Sequence, residues 1–160
     1  MAKEIEFKFL AKKIPGSNNS GLRIHQGYIF ISKEKQVRVR VDLTRRKAWM
    51  CIKFHNKNSR EEFETEMNYE EGLELYALCK YRVAKTRFSL WHGQYKLDFD
   101  LYEDGTQIVE VEVDEKFIEK YEDPIKEIQN DLPEYVGDNV DGQWKYNNYY
   151  FAGYPENEYV

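Results

Sequence analysis

Cysteine is scarce in this chain. Cys51 and Cys79 are the two present, with no CxxC pair and no histidine cluster beside them. That excludes a disulfide framework and leaves no zinc-site spacing. His25, His55 and His92 lie far apart and read as ordinary surface or core residues. No apolar run suits a membrane span and no segment resembles a signal peptide, so the expected setting is cytoplasmic, with both thiols reduced and no membrane partner. An excess of positive charge is also missing. Twenty-four Lys and Arg against 29 Asp and Glu give −5. A general nucleic-acid binder is therefore not expected, although a local basic pocket is still allowed. There is no internal repeat and no low-complexity segment. What is present is apolar content of 41% and aromatic content of 16%, too much for a disordered chain. A length of 160 residues fits a single domain over 1–160 whose core needs no metal or disulfide to hold it.

Period-two alternation dominates the chain. It predicts strands at Glu4–Phe9, Ile24–Ser32, Val37–Leu43, Ala48–Phe54, Glu62–Met67, Val83–Trp91, Gln94–Tyr102 and Thr106–Asp114. The turn formers of "PGSNNSG" (Pro15 to Gly21) mark a loop. Asn68 with Glu71 three residues on predicts a helix N-cap opening "YEEGLELYALCKYR". A helical stretch follows from Glu115 to about Tyr121, and Asp123-Pro124 starts another. The aromatic tail "GQWKYNNYYFAGYP" reads as strand or ordered coil. Eight strands with a few flanking helices make an antiparallel α+β domain, an eight-stranded β-barrel.

Taken face by face, these strands carry charge on one side and apolar groups on the other. Glu4, Glu6 and Lys8 alternate with Ile5 and Phe7; Arg38 and Arg40 alternate with Val37, Val39 and Val41. Lys53 sits between Ile52 and Phe54, and Glu62, Glu64 and Glu66 share one face. Lys85 shares a face with Arg87, Lys96 with Asp98 and Asp100, and Glu110 with Glu112 and Asp114. For any single strand, a half-buried sheet with its polar side in water explains the pattern. The set is harder to explain that way. These positions are almost all charged, and several strands are wholly acidic or wholly basic, which is self-repelling. Clustered carboxylates suit a hard divalent cation, and clustered Arg and Lys suit a polyanion. A metal-bound polyphosphate satisfies both, if the charged faces line a hydrated barrel interior.

The ordered set of motifs resembles the CYTH superfamily, the triphosphate tunnel metalloenzymes. It comprises the N-terminal E-x-E-x-K (Glu4-Ile5-Glu6-Phe7-Lys8), the Q-x-Y strand "IHQGYI", the arginine strand "VRVRV", "CIKF", "EEFETE", the K-x-R strand "VAKTRFSL", "DFDLY" and the late E-x-E strand "VEVEV". The resemblance runs essentially the whole length. It implies a triphosphate tunnel holding one or two Mg²⁺ or Mn²⁺ ions. Carried over by position, Glu4, Glu6, Glu110 and Glu112 would hold metal, with Asp100, Glu64 and Glu66 as further candidates. Lys8, Arg38, Arg40, Lys53, Lys85 and Arg87 would grip phosphate. Glu64 or Glu66 would activate water, with Lys8 contacting the reacting phosphate. "WKYNNYY" is similar to the family's C-terminal segment, making Lys145 a further phosphate contact; Asp141 and Gln143 stand where many members carry Thr and Asp.

The implied substrate is a small-molecule triphosphate, tripolyphosphate first, then a nucleotide. A class IV-type adenylate cyclase and a non-catalytic sensor of a phosphorylated metabolite are the alternatives, and a homodimer stays open. Leu73, Tyr76 and Leu78 are expected to pack a helix face. Trp49, Trp91 and Trp144 are expected in core or rim packing, and Cys79 as a small apolar residue.

Overall fold

The computed structural model describes residues 4–15, 21–55 and 60–160; the side chains of Glu4 and Arg60 are outside the description. The centre of the expected Pro15–Gly21 loop (16–20) likewise lies outside the described residues. Nine strands form: β1 (Glu4–Ala11), β2 (Leu22–Ile31), β3 (Lys35–Asp42), β4 (Lys47–His55), β5 (Arg60–Met67), β6 (Tyr81–His92), β7 (Tyr95–Tyr102), β8 (Gln107–Asp114) and β9 (Val136–Asn139). The helices are α1 (Tyr69–Leu78), α2 (Glu115–Ile118), α3 (Pro124–Asp131) and α4 (Asn148–Phe151). The mixed antiparallel α+β class is as expected.

The closed eight-stranded barrel is not found. Among the described residues the strand order is open, β5-β4-β3-β2-β6-β7-β8-β1-β9. The physical reason lies at β1. Closure would need its outer edge, but β9 takes that edge, pairing Phe9 with Asn139 and Ala11 with Val136. The four residues of β9, "VGDN", have too little alternation to announce a strand.

The described residues divide into two compact units. One comprises the chain up to Gly21 with Thr86–Gln143, the other Leu22–Lys85 with Trp144–Val160. In the first, the apolar faces of β1, β7 and β8 sink Phe9, Leu97, Phe99, Val109 and Val111 into a core with Ile118, Ile128 and Leu132 of the helical segments. Each such burial stabilises by about 1.5–3 kcal/mol. Asp114 caps α2 by accepting from the Lys116 N–H at 2.8 Å, and Asp123 caps α3 by accepting from Lys126 at 3.1 Å, with Pro124 in the first turn. α2 is one turn long, shorter than the stretch to Tyr121 that the sequence suggests.

In the second unit, α1 lies on the Val39, Val41 and Ala48 face through Leu73, Tyr76 and Cys79. Asn68 caps it as predicted, accepting from the Glu71 N–H at 3.0 Å. Leu78 departs from its expected packing role, being 83% exposed on the last turn. Trp91, at 70% exposed, is not packed either. The tail forms a 3-10 turn (Trp144–Tyr146) and then α4, capped by Asn147, where strand or coil was expected. No helix among the described residues is long and apolar enough to cross a membrane.

Gly72 sets how close α1 comes to the sheet. A Cβ placed there would stand 2.4 Å from the Ala48 Cβ. Gly72→Ala should therefore destabilise by about 1–3 kcal/mol in urea unfolding, despite alanine's better helix propensity. Adding Ala48→Gly should recover part of that loss; an unaltered or raised midpoint in the single variant would refute the close approach.

Candidate active site

Each unit carries one charged sheet face. In the first, strand register builds rows. Glu6 of β1 stands opposite Glu112 of β8, which stands opposite Lys96 of β7. In the next row Lys8 faces Glu110, and Glu110 faces Asp98. Glu4 faces Asp114 in the same register. Directly opposed carboxylates such as Glu6 and Glu112 destabilise a bare sheet. Lys96, beside Glu112, offsets part of that.

The backbone of Lys8 is held from the β9 side. Its N–H donates to Asp141 Oδ1 at 2.6 Å, and its carbonyl accepts from the Asn139 side-chain amide at 3.0 Å and the Val140 N–H at 2.9 Å. Asn139 also donates to Asp141 Oδ2 at 2.9 Å. Two side chains thus stand in for a strand ladder at Lys8, just beyond the last β1/β9 pair, Phe9 with Asn139. Neither residue is assigned a role by its spacing in the sequence.

At the end of this face Arg87 makes a two-pronged contact with Asp100. Nε donates to Oδ1 at 2.7 Å and Nη2 to Oδ2 at 2.8 Å, and Asp100 is fully buried. Asp98 and Glu110 each lie 3.7 Å from the same guanidinium. Burial opposes the charge on Arg87, but Asp100 first, then Glu110 and Asp98, hold its pKa well above the ordinary arginine value. Ser89 Oγ donates to Asp98 at 2.6 Å. The expected phosphate ligand Arg87 and the expected metal ligand Asp100 are therefore brought to one another.

The second unit has three rows. Gln26, Arg40, Trp49 and Glu66 form one; Tyr28, Arg38, Cys51 and Glu64 the next; Ile31, Gln36, Lys53 and Glu62 the third. The Arg38 side chain is 10% exposed, and its Nη2 lies 3.7 Å from Glu62 Oε1. Burial works against its charge, yet Tyr28, Cys51 and Glu62 together raise its pKa. Burial pushes the Cys51 thiol up despite Arg38 beside it. Lys85 is buried and its Nζ lies 3.5 Å from Asn148 Oδ1. Gln26, Tyr28 and Gln36 are buried as well. Gln26 Nε2 donates to Tyr28 Oη at 2.9 Å, and the Gln36 side-chain amide donates to the Tyr149 hydroxyl. Glu64 and Glu66 are exposed on β5, and Lys145 is exposed with its ammonium 5.1 Å from the Tyr146 ring centre.

Of these, Gln36 and Tyr149 escape sequence reasoning, and Gln26 and Tyr28 are visible as a motif without a role. The usable signal for Gln36 is its parity: in "QVRVR" it occupies the same face as both arginines.

Among the described residues no three acidic, histidine or cysteine side chains converge as a cage for a metal ion. A hard cation of the Mg²⁺ type does not require one. It keeps several waters and uses one or two carboxylates plus substrate phosphates. The oxygen donors of Glu6, Glu110 and Glu112 on one face fit that demand.

No protein-family model matches the chain. An inorganic triphosphatase from Acetivibrio thermocellus is 33% identical over 149 residues, covering 88% of this chain and 94% of that protein. The chain belongs to the triphosphate tunnel metalloenzyme (CYTH) superfamily. Solved structures agree on the fold. The inorganic triphosphatase NE1496 matches with a TM-score of 0.63 at 24% identity over 95% of both chains. A putative adenylate cyclase from Vibrio parahaemolyticus matches at 0.62 with 11% identity, over 89% of this chain and 95% of that one. A putative adenylyl cyclase from Hippeastrum with a dominant triphosphatase activity matches at 0.52 with 16% identity, over 90% and 95%.

In this CYTH protein the Arg87–Asp100 contact generates a stability prediction. Asp100→Ala leaves a buried guanidinium without its main counter-charge and should cost about 3–5 kcal/mol in chemical denaturation. Arg87→Met combined with Asp100→Leu should recover most of that. Unchanged stability with a lost response to Mg²⁺ would instead return Asp100 to the set of metal ligands.

Proposed function

We propose that this protein hydrolyses a triphosphate, inorganic tripolyphosphate first, with Mg²⁺ or Mn²⁺ as the bound ion. The observation that carries the reading is Arg38. It is a buried guanidinium, on the strand face it shares with Gln36 and Arg40, whose ion pair with Glu62 spans 3.7 Å. A buried cation so loosely compensated calls for a further anion. The relative from Acetivibrio thermocellus, named an inorganic triphosphatase, supports the choice of substrate.

In this reading Arg38, Arg40, Lys53 and Lys85 take phosphate oxygens, and Arg38 and Arg40 offer the planar fork that suits them. Glu6 and Glu112, with Glu4 and Glu110, would hold the metal. When bound, the ion neutralises charge developing on the phosphate oxygens. Lys8, fixed through its backbone by Asp141 and Asn139, presents its ammonium on the acidic face to a phosphate oxygen. Glu64 or Glu66, exposed on β5, accepts the proton of the attacking water. Lys145 is assigned to the outer end of the substrate. Arg87 serves chiefly to fix Asp100. The place of action is the cytoplasm, consistent with the free thiols Cys51 and Cys79.

The test is phosphate release from tripolyphosphate with Mg²⁺ or Mn²⁺, read by product identity beside a nucleotide panel. Chelator should abolish release; Glu6→Gln should lower kcat about 100-fold; and Glu156→Gln on the tail should change nothing. Arg38→Ala should raise KM roughly 30-fold, as for a truncated buried charge contact of about 2 kcal/mol. Because the described residues make no cage, calorimetry should find Mg²⁺ bound at least about tenfold tighter when tripolyphosphate is present. Full activity in chelator would overturn the reading. A tight tripolyphosphate complex with no product would make the protein a sensor, and a cyclic nucleotide product would make it a cyclase.

A further inference from the structure

Gln36 is 5% exposed, yet its side-chain oxygen meets no hydrogen-bond partner among the described residues. The Nε of Arg38, two residues along the same strand face, is likewise buried without one. Unpartnered buried polar atoms are rare and unfavourable, and two of them on one strand face call for a polar partner bound there. Register places Lys53 opposite Gln36 on this face. The other end of the Gln36 amide is held by the hydroxyl of Tyr149, a buried residue of α4. Tyr149 is itself fixed by rings on all sides: Tyr28 at 5.2 Å, Tyr159 at 5.2 Å and Trp144 at 6.0 Å between centres. Burial raises the Tyr149 pKa far above the ordinary phenol value even though the Gln36 amide lowers it, so the group stays a neutral hydroxyl at any working pH.

We propose that Gln36, oriented by Tyr149, is a further substrate-binding residue: a neutral donor to a phosphate oxygen bound beside Arg38 and Lys53. This rests on the triphosphatase reading and adds to it a contact that carries no charge. A phenol both donates and accepts, so the carboxamide can turn end for end without losing Tyr149. With an anion present, the NH₂ faces the phosphate and the Tyr149 O–H donates to the amide oxygen. The C-terminal segment thereby sets part of the substrate contact through a side chain that never touches phosphate. Tyr149 is a positioning residue.

The experiment compares Gln36→Met, Gln36→Glu, Tyr149→Phe and the Gln36→Met/Tyr149→Phe double with the full-length wild type, using tripolyphosphate as the probe. Kinetics are read as KM against kcat, binding by calorimetry, and stability by thermal midpoint. Gln36→Met should raise KM and Kd about tenfold with kcat within twofold, and Gln36→Glu should raise them further, since a carboxylate offers phosphate no donor. Tyr149→Phe should raise KM less. The double variant removes both ends of the Gln36–Tyr149 bond, and the Tyr149 hydroxyl's bond to Tyr159 with them, so it should melt close to the Tyr149→Phe single while KM stays raised. If Gln36 only braced the fold, the double variant would have wild-type KM, and that result overturns the proposal. Equal tripolyphosphate affinity in wild type and Gln36→Met overturns it too, with the triphosphatase reading intact if the wild type turns over. If the wild type binds tripolyphosphate without hydrolysing it, the calorimetric comparison still decides Gln36 while the hydrolase reading fails. A wild type that neither binds nor hydrolyses it defeats both.

Discussion

A guanidinium removed from water must be compensated, and the two units of this protein meet that requirement in opposite ways. Arg87 is answered from within: Asp100 takes two of its N–H groups at 2.7 and 2.8 Å, with Asp98 and Glu110 at 3.7 Å. Arg38 has a half-exposed Glu62 at 3.7 Å, and the neighbours opposite it on the adjoining strands, Tyr28 and Cys51, are neutral, with Glu64 one strand further along the row. The difference separates a cation that the fold itself compensates from one that, in the proposed reading, takes a phosphate oxygen. Both are largely buried arginines on strands, so residue type and burial alone would not distinguish them. The identity and distance of the counter-charge do.

Strand alternation makes such faces affordable. In the first unit every charged residue of β1 and β8 is anchored by an apolar neighbour one step away, with Val109 and Val111 fully buried. The charged side chains therefore stand on a backbone that the core fixes, which is the condition for holding like charges near one another. Where the ladder is incomplete, at Lys8, Asp141 and Asn139 supply the missing hydrogen bonds. The E-x-E-x-K strand is thus braced on both edges, by β8 on one side and by these side chains on the other.

How much of this could be read beforehand depends on the length scale of the signal. The eight main strands follow a local period, and caps such as Asn68 and Asp123 act within three residues, so they are legible. The rows Glu6–Glu112 and Arg38–Cys51–Glu64 follow once the faces are known, although their register is not. The pairing of Arg87 with Asp100 is not legible, because it depends on which of several charges on adjacent strands meet. Reading each as a ligand, one for phosphate and one for metal, gives no sign of the contact the two make with one another. β9 was missed for a related reason: "VGDN" owes its strand form to the free edge of β1 rather than to its own residues. The tail's helical turn was missed because its Asn147 cap sits among aromatics that suit strand equally well.

The neutral polar groups on the second unit's face bear on why the basic face can exist before a substrate arrives. Arg38 and Arg40 stand two residues apart on one strand side, and their repulsion must be moderated without quenching their charge. A carboxylate held as closely as Asp100 is to Arg87 would take up that charge, whereas Glu62 reaches Arg38 only at 3.7 Å. Gln26, Tyr28, Gln36 and Tyr149 instead surround them with dipoles that bond mainly to each other, Gln26 to Tyr28 and Gln36 to Tyr149. Such dipoles screen without neutralising, and they are already oriented when the anion binds, which reduces the reorganisation that binding would otherwise demand. In the proposed reading the amides and phenols would then belong to the phosphate site as much as the arginines they flank.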